Sequence, residues 1–216
     1  MSQKPMFICI TGIDGVGKTT HVNLILEHLR EKGIKCQYKW LRFHHLFSLP
    51  LLAFCRVAGY TRLSTLGNSQ QCSYHEFYKS KLISAIYPWI LFFDTFLFTI
   101  IKVYIPMFFG ISIVCDRFVY DTLIDMAIAT KDPEIYKKSV GKLFLILIPK
   151  NSRVVMLNLE KSIIISRRPE LKDDLTFDER YALYRDLSSR FNIHIEENCD
   201  NMRQVNCSII NGLFRC

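Results

Sequence analysis

The sequence predicts an α/β fold in which a parallel sheet is covered by helices on both faces. Short apolar segments alternate with amphipathic segments along the chain, a pattern typical of parallel strands joined by crossover helices. A glycine-rich turn at residues 12–17 separates the first apolar segment from the first amphipathic one. The 216 residues are enough for one domain with a substantial core. We therefore expect one domain over residues 1–216 with a five-stranded sheet.

The strands are expected in the short apolar segments, and the helices are expected where apolar residues recur every three or four positions. The predicted strands are 6–10, 35–41, 111–115, 153–159 and 193–195. The predicted helices are 19–32, 74–86, 89–104, 120–129, 133–143, 161–168, 177–191 and 201–213. Residues 44–67 are expected to be partly helical and then to form a loop. Asp132 and Pro133 suit a helix cap and a first-turn proline.

The turn after the first strand carries a phosphate-binding motif. Residues 12–20 read GIDGVGKTT, which is G-x-x-x-x-G-K-[ST] between a strand and a helix. Glycines let successive N–H groups point at phosphate oxygens, and the helix N-terminus favours negative charge. A lysine and a hydroxyl at these positions reach the β/γ-phosphates and Mg²⁺. We expect a nucleoside triphosphate site formed by Gly12, Gly15, Val16, Gly17, Lys18, Thr19 and Thr20.

A second candidate site lies at the end of the third predicted strand, where Asp116 and Arg117 follow residues 111–115. Ligands of parallel α/β sheets bind at the carboxyl ends of the strands. A carboxylate there suits the shell of Mg²⁺, and a guanidinium can clamp a phosphate with two hydrogen bonds. The alternative is an ordinary ion pair at a strand end.

The composition and charge of the chain limit the classes of function that it can have. The net charge of +8 and the pI near 9.1 suit anionic ligands, and no run of five lysines or arginines indicates a dedicated nucleic-acid patch. The eight cysteines include no C-x-x-C pair, which favours reduced thiols in a cytoplasmic protein. The first strand begins almost at once, so we predict no signal peptide.

The segment 82–115 is very apolar, but Asp94, Lys102, Pro88 and Pro106 interrupt it. Because no charge-free run reaches the length of a membrane span, we predict a buried helix, a turn and a buried strand there. A role at a membrane surface stays open as an alternative.

Several of these motifs resemble those of the thymidylate kinase family. Residues 12–20, including the internal Asp14, resemble the phosphate loop of that family, and residues 116–118 resemble its Asp-Arg-Tyr motif. Residues 105–110, IPMFFG, are similar to the segment that precedes the motif strand in the family, and residues 159–174 resemble its strand and arginine-bearing lid. The resemblance is thin over most of the chain and densest around the first two motifs.

The resemblance implies a P-loop NTPase fold of the nucleoside monophosphate kinase type, with a short lid at about 166–176 and an acceptor-site segment at about 42–80. ATP would be the phosphoryl donor, with Mg²⁺ held at Thr19 and Asp116. The implied catalytic residues are Lys18, Asp14, Arg117, Arg167 and Arg168. The implied acceptor-binding residues are Asp14, Arg42, Asp116 and Arg117. A homodimer is possible, with the apolar helix face of residues 82–104 as its interface.

The chain departs from the family pattern on the acceptor side. If Asp94 is aligned with the aspartate before the motif strand, Thr95 stands where the family has a base-reading arginine. Two extra acids, Asp121 and Asp125, follow the Asp-Arg motif, and residues 43–45 replace Glu-Pro-Gly after Arg42. His44 and His45 suit loop or packing positions better than ligand positions.

Three functions follow from these observations. The first is a nucleoside monophosphate kinase, in its simplest form one that converts dTMP to dTDP. The second is a kinase of the same fold acting on a nucleoside or a sugar derivative. The third is a non-enzymatic nucleotide-binding module that is either regulatory or associated with a membrane. A signalling GTPase is disfavoured because the chain has no Asn-Lys-x-Asp motif.

Overall fold

The computed structural model describes residues 4–42, 44–67, 70–198 and 202–214. Its strands are β1 Phe7–Thr11, β2 Cys36–Trp40, β3 Thr61–Leu66, β4 Gln70–His75, β5 Ser112–Asp116, β6 Ser152–Asn158 and β7 His194–Glu197. Its helices are α1 Lys18–Glu31, α2 Leu49–Val57, α3 Lys81–Thr99, α4 Ile105–Phe108, α5 Val119–Thr130, α6 Ser139–Ile146, α7 Lys161–Arg167, α8 Phe177–Arg190 and α9 Met202–Phe214. Phe43 and Asn201, which entered the sequence predictions, lie outside the described residues.

Five strands form one parallel sheet, as predicted, and their order in the sheet is β2-β5-β1-β6-β7. The central strands β1 and β5 are buried along their whole length, which explains their uninterrupted apolar sequences. Ile10 pairs with Asp116 in register, and Trp40 also pairs with Asp116 from the other side. The carboxyl ends of β1, β2 and β5 therefore meet at one edge, where the two sequence motifs come together.

The segment 44–75 differs from the sequence prediction. It forms helix α2 and then an antiparallel hairpin, β3–β4, in place of a loop and the start of a helix. Gly67, at φ +54°, follows β3 at the turn, and Thr61 bonds across the hairpin to His75, with 3.0 Å between Oγ1 and Nδ1. The next α-helix begins only after Ser80, whose Oγ accepts a hydrogen bond from the backbone N–H of Ile83.

The two helices predicted on either side of Pro88 are one continuous helix. It runs through α3, a π-helical turn over Ile100–Tyr104, and α4. Pro88 lacks a backbone N–H, but the helix continues because its buried face packs on the core. The prediction of a buried helix is only partly right, since 28% of its most apolar 18-residue stretch is buried.

The predicted helix at 133–143 is also divided. A 3₁₀ turn at Ile135–Lys137 precedes α6, because Lys138 is extended, with φ −71° and ψ 160°. Gly141 then packs directly on this turn, where a Cβ would lie 2.2 Å from the carbonyl oxygen of Ile135. The chain therefore folds back on itself at Lys138, and one straight helix is impossible there.

Candidate active site

The loop between β1 and α1 has a backbone that only glycine adopts readily. Gly12, Gly15 and Gly17 have φ values of +138°, +90° and +86°, in the region that side chains disfavour. A Cβ on Gly12 would lie 2.5 Å from the carbonyl oxygen of Leu157 in β6. Gly17 opens helix α1, so the loop N–H groups and the positive end of the helix share one cleft.

Asn198 stabilises this loop through side-chain hydrogen bonds. Its buried amide donates to the carbonyl oxygen of Val16 at 2.6 Å, and its Oδ1 lies 3.1 Å from Nε2 of His21 in α1. A Cβ on Gly17 would come within 2.8 Å of the same amide nitrogen. Asn198 was not predicted from the sequence, because it follows β7, more than 170 residues from the loop in the chain.

Lys18 is buried at the start of α1, where its Nζ donates to the carbonyl oxygen of Ile13 at 2.7 Å. The carboxylate of Asp14 is 3.9 Å away. Burial, reinforced by the nearby positive charge of Arg117, lowers the pKa of Lys18 to about 7. Additional negative charge in the cleft, such as that of phosphates, would raise the pKa of Lys18 again.

Thr19 and Asp116 form the site where a metal ion would fit. The Thr19 hydroxyl donates to Oδ2 of Asp116 at 2.7 Å, and Oδ1 of Asp116 is buried without a hydrogen-bond partner. An unpaired buried carboxylate oxygen beside a hydroxyl is a hard-oxygen pair that suits Mg²⁺. Among the described residues, no cluster of three or more His, Cys, Asp or Glu side chains has metal-site geometry. Mg²⁺ uses few protein ligands when phosphates and water supply the rest.

Arg117 is held by a buried network at the end of β5. It adopts φ +67°, and its Nη2 donates to Asp14 Oδ1. Its Nη1 lies 3.2 Å from Asp121 Oδ1 and 3.3 Å from the Tyr184 hydroxyl. Burial alone would raise the pKa of the Asp14 carboxyl, but Arg117, Lys18 and Arg42 outweigh it and lower that pKa. Asp14, half exposed, thus stays ionised among three cations.

A second network holds Arg42 beside the first. Asp125 accepts two hydrogen bonds from Arg42, at 2.8 and 2.7 Å, and a third from Arg180 in α8. Burial opposes ionisation of Asp125, but the two guanidinium groups outweigh it and lower its pKa below the usual range. Arg42 also reaches to within 3.9 Å of Asp14, so the networks of Arg117 and Arg42 meet there.

Arg180 was not predicted from the sequence, although the spacing contained a signal. Asp121 and Asp125 stand four residues apart in α5, and Arg180 and Tyr184 stand four residues apart in α8. Residues with this spacing share a helix face. Tyr184 donates to Asp121 at 2.7 Å, and Arg180 donates to Asp125. The polar faces of α5 and α8 therefore contact each other through two side-chain pairs.

These elements enclose a cleft with an empty volume of about 910 Å³. Its lining brings together Asp14, Gly15, Gly17, Lys18, Thr19, Thr20, Arg42, Asp116, Arg117 and Arg168, all predicted from the sequence, and adds Trp40. Gly12 and Val16 lie behind them in the same loop. Of the two lid arginines, Arg168 lines the cleft against Gly15, whereas Arg167 is exposed and does not line it. Arg168 donates to Glu170 at 2.7 Å.

A smaller cavity lies between the end of β2, helix α3 and helix α5. Its lining is Leu41, His44, His45, Tyr87, Leu91, Thr95, Phe98, Thr99, Phe118, Thr122 and Asp125. Burial and neighbouring Lys102 lower the pKa of His44 to about 4, so its ring is neutral at pH 7. The Thr95 hydroxyl donates to the carbonyl oxygen of Leu91. Asp125 links this cavity to the main cleft.

Asp94, aligned above with a family aspartate, faces helix α2 and not the cleft. Its carboxylate accepts from the backbone N–H groups of Phe47 and Ser48, at 2.7 and 2.9 Å, and from the Ser48 hydroxyl. These bonds fix the start of α2 against α3. The adjacent Thr95 therefore lines the smaller cavity on a helix whose position Asp94 helps to set.

Comparison with known proteins supports the fold assignment. The crystal structure of a thymidylate kinase from Ehrlichia chaffeensis superposes with a TM-score of 0.59 at 16% identity, over 99% of this chain and 100% of that one. No protein-family model and no curated protein matches the sequence. The chain therefore shares the overall fold of that structure, with a five-stranded parallel sheet flanked by helices. Within this fold the phosphate loop, Asp116 and Arg117 occupy one edge of the sheet, as the strand ends predicted.

Proposed function

We propose that the chain is an ATP-dependent kinase of nucleoside monophosphates, with dTMP as its first candidate acceptor. The observation that carries this proposal is the set of four cations, Lys18, Arg42, Arg117 and Arg168, around one cleft beside the Thr19–Asp116 pair. Phosphoryl transfer needs alignment and positive charge around the moving group more than it needs covalent chemistry. The same arrangement would serve little purpose in a protein that binds only neutral ligands.

On the donor side, the loop N–H groups and Lys18 bind the phosphates of ATP, and Thr19 and Asp116 hold Mg²⁺. When bound, Mg²⁺ neutralises charge on the phosphate oxygens. Lys18 moves from the carbonyl oxygen of Ile13 to the phosphates, because a charged phosphate is a stronger hydrogen-bond partner for an ammonium group than a neutral carbonyl oxygen. Phosphate binding thus gives the buried ammonium group the negative charge that it lacks.

On the acceptor side, Arg117 and Arg42 bind the acceptor phosphate, and Asp125 and Arg180 hold Arg42 in place. Asp14 stands between the two halves, within 3.9 Å of both Lys18 and Arg42. Arg168 approaches from the lid, at about residues 166–176. Asp174, near the end of that lid, accepts a hydrogen bond from Tyr74 in the β3–β4 hairpin at 3.1 Å, so a closing lid and the acceptor segment can move together and exclude water.

The test is ATP turnover by the purified chain, followed by coupled release of ADP, with a panel of deoxynucleoside and nucleoside monophosphates. We expect turnover with at least one monophosphate, dTMP first among them, and little ADP release without an acceptor. Absence of turnover with every nucleotide acceptor contradicts the proposal. ATP binding under those conditions would then favour the non-enzymatic module.

A second candidate is a kinase of another small molecule, such as a nucleoside or a sugar derivative. The smaller cavity favours it, because Thr95 and aromatic rings line the wall where a base-reading arginine would stand. The same assay with nucleosides and sugars separates the two candidates. Turnover with a nucleoside in place of its monophosphate would assign Arg42 and Arg117 a structural role instead of acceptor-phosphate binding.

A further inference from the structure

Asp121, one of the two acids that depart from the family pattern, is fully buried and accepts hydrogen bonds on both carboxylate oxygens. Its Oδ2 accepts from the Thr11 hydroxyl at 2.8 Å and from the backbone N–H of Phe118 at 3.0 Å. Its Oδ1 accepts from the Tyr184 hydroxyl at 2.7 Å and from Nη1 of Arg117 at 3.2 Å. An ionised carboxylate offers about four acceptor positions. Protein groups therefore saturate this carboxylate, and no position is left for a ligand or a water molecule.

The donors to Asp121 come from different elements of the fold. Thr11 ends β1 and directly precedes the phosphate loop, and Phe118 lies at the start of α5. Arg117 follows β5 and lines the main cleft. Tyr184 belongs to α8, the helix that directly follows the proposed lid. One carboxylate thus joins the phosphate loop, a cleft arginine and the helix after the lid.

Arg117 has a backbone conformation that depends on its surroundings. Its φ of +67° lies in the left-handed region, which costs free energy for a residue with a side chain and persists only where neighbouring groups fix it. Through Nη1 the guanidinium contacts three acceptors: the carbonyl oxygen of Gly12 at 3.4 Å, the Asp121 carboxylate, and the Tyr184 hydroxyl at 3.3 Å. Through Nη2 it donates to Asp14 in the main cleft. The Nη1 contacts therefore determine where Nη2 lies in the cleft.

The side chains of Tyr184, Asp121 and Arg117 are mutually hydrogen-bonded. Tyr184 donates to Asp121 and accepts from Arg117, which itself donates to Asp121. Burial, together with the neighbouring Asp121 carboxylate, raises the pKa of Tyr184, so its hydroxyl stays protonated and can donate. Without this hydroxyl, Oδ1 of Asp121 would keep Arg117 as its only donor among the described residues. The guanidinium would then shift toward Asp121 and away from Asp14, because a buried carboxylate oxygen that lacks a donor attracts the nearest cation.

A second residue on the same face of α8 has an equivalent arrangement. Arg180, four residues before Tyr184, donates to Asp125, which also binds Arg42. Because residues four apart share a helix face, α8 contacts α5 through both pairs at once. Each arginine that the proposed function assigns to the acceptor phosphate is thus held by an α5 carboxylate, and each of these carboxylates is held by a side chain of α8.

We propose that Asp121 and Tyr184 are positioning residues for the acceptor site: Tyr184 holds the carboxylate, and the carboxylate fixes the guanidinium of Arg117 in the orientation that binds the acceptor phosphate. This inference rests on the proposed function and makes acceptor binding depend on the helix after the lid. Tyr184 itself does not line the main cleft, so its effect passes through Arg117. Its hydroxyl makes no hydrogen bond to the phosphate loop within the described chain, so ATP binding is largely independent of it.

The test is steady-state kinetics of Tyr184→Phe, which removes one oxygen atom and keeps the buried ring. We expect the KM for the acceptor to rise at least about fivefold, because a displaced guanidinium loses part of a charged hydrogen bond, and the KM for ATP to stay within about twofold of the parental value. Tyr181→Phe is the matched control on the same helix, because its hydroxyl donates to the carbonyl oxygen of Leu159 at 3.3 Å, outside the Asp121 network. Both KM values of the control should be parental.

A double-mutant cycle distinguishes positioning from a general loss of packing. In an Arg117→Ala background, Tyr184→Phe should leave the acceptor KM unchanged, because the side chain that it positions is gone. Additive effects of the two substitutions on the acceptor KM overturn the proposal. If circular dichroism shows that Tyr184→Phe is unfolded, Thr11→Val tests the same carboxylate from β1. The acceptor KM should then rise in Thr11→Val and return in Thr11→Ser, which keeps the hydroxyl, and a parental acceptor KM in Thr11→Val overturns the proposal.

The parent protein is assayed first, so that the two possible failures are distinguishable. A parent that uses no nucleoside monophosphate overturns the proposed function and this inference with it. A parent that uses its acceptor, together with a folded Tyr184→Phe whose acceptor KM is parental, overturns this inference alone. Equal rises in the KM values for ATP and for the acceptor also overturn it, because they indicate a general disturbance of the cleft instead of a displaced Arg117.

Discussion

The proposed donor and acceptor halves of the cleft are built in different ways. The donor half is made largely of backbone: a loop of six residues, the start of α1 and one carboxylate from β5. The acceptor half is made of side chains, with Arg42, Arg117 and Arg180 coming from three separate parts of the chain. The halves meet at Asp14. A backbone site can be encoded by a short motif, whereas a side-chain site requires the whole fold.

The halves also differ in how their cations are compensated. Arg42 and Arg180 share Asp125, and Arg117 contacts Asp14 and Asp121. Lys18 donates to a neutral carbonyl oxygen, and the carboxylate of Asp14 lies 3.9 Å away. The acceptor cations are thus held in place by buried carboxylates, whereas the donor cation lies in a desolvated position beside a neutral oxygen. We expect substitutions in the donor half to affect turnover and those in the acceptor half to affect stability and acceptor binding.

The largest effect is expected in the donor half. Lys18→Ala removes the cation that would contact the transferring phosphates, so kcat should fall by at least about 10²–10³-fold. The unfolding transition should stay close to that of the parent, because a partly neutral, buried lysine contributes little to stability. Lys32→Ala, just beyond the end of α1, serves as the control. Retention of parental turnover by Lys18→Ala would remove Lys18 from the mechanism.

On the acceptor side, Asp125→Asn should show its main effect in stability. The change leaves Arg42 and Arg180 close together without their shared charge, which costs about 3–5 kcal/mol for a buried network. Urea unfolding measures the loss. Asp186→Asn breaks an exposed pair with Arg190 and should cost less than about 1 kcal/mol. If the two variants are equally stable, the buried network is not what fixes Arg42.

Arg117→Ala should separate acceptor binding from donor binding. Loss of a charged hydrogen-bonding group costs about 1.5–3 kcal/mol, so the KM for the acceptor should rise about tenfold to hundredfold. The KM for ATP should change much less, because the phosphate loop is intact. Arg190→Ala, an exposed arginine of α8, is the matched control. An unchanged acceptor KM would place Arg117 outside the acceptor site.

Asn198→Ala tests whether the donor loop depends on support from outside its motif. The substitution leaves the Val16 carbonyl oxygen and His21 without their buried partner, which costs about 1–3 kcal/mol. We expect lower stability and a raised KM for ATP, measured by urea unfolding and steady-state kinetics. Asn158→Ala, which removes an exposed bond to Glu197, should change both much less. A parental KM for ATP in Asn198→Ala would show that the loop geometry is self-sufficient.

The same contrast explains what could be predicted from the sequence. The sheet and the phosphate loop were predictable because β1 and β5 are buried along their length and the loop motif is continuous in the chain. The hairpin β3–β4 was missed because its strands, TRLSTL and QQCSYH, are polar and largely outside the core. Asn198 and Arg180 were missed because their roles depend on contacts between distant segments, which spacing along the chain does not reveal.

The pKa of Lys18 predicts a pH dependence for the donor half of the cleft that the acceptor half does not share. With a pKa of about 7 in the ligand-free protein, Lys18 is mostly neutral at pH 8, and phosphates favour its protonated form. ATP binding should therefore take up a proton at pH 8. The apparent affinity should fall as pH rises above 7, by up to about tenfold per pH unit. Calorimetry in two buffers of different ionisation enthalpy measures the uptake, and Lys18→Met should abolish it. Because the acceptor arginines are charged throughout this range, the KM for the acceptor should not follow the same curve; if it does, the two halves are electrostatically one site.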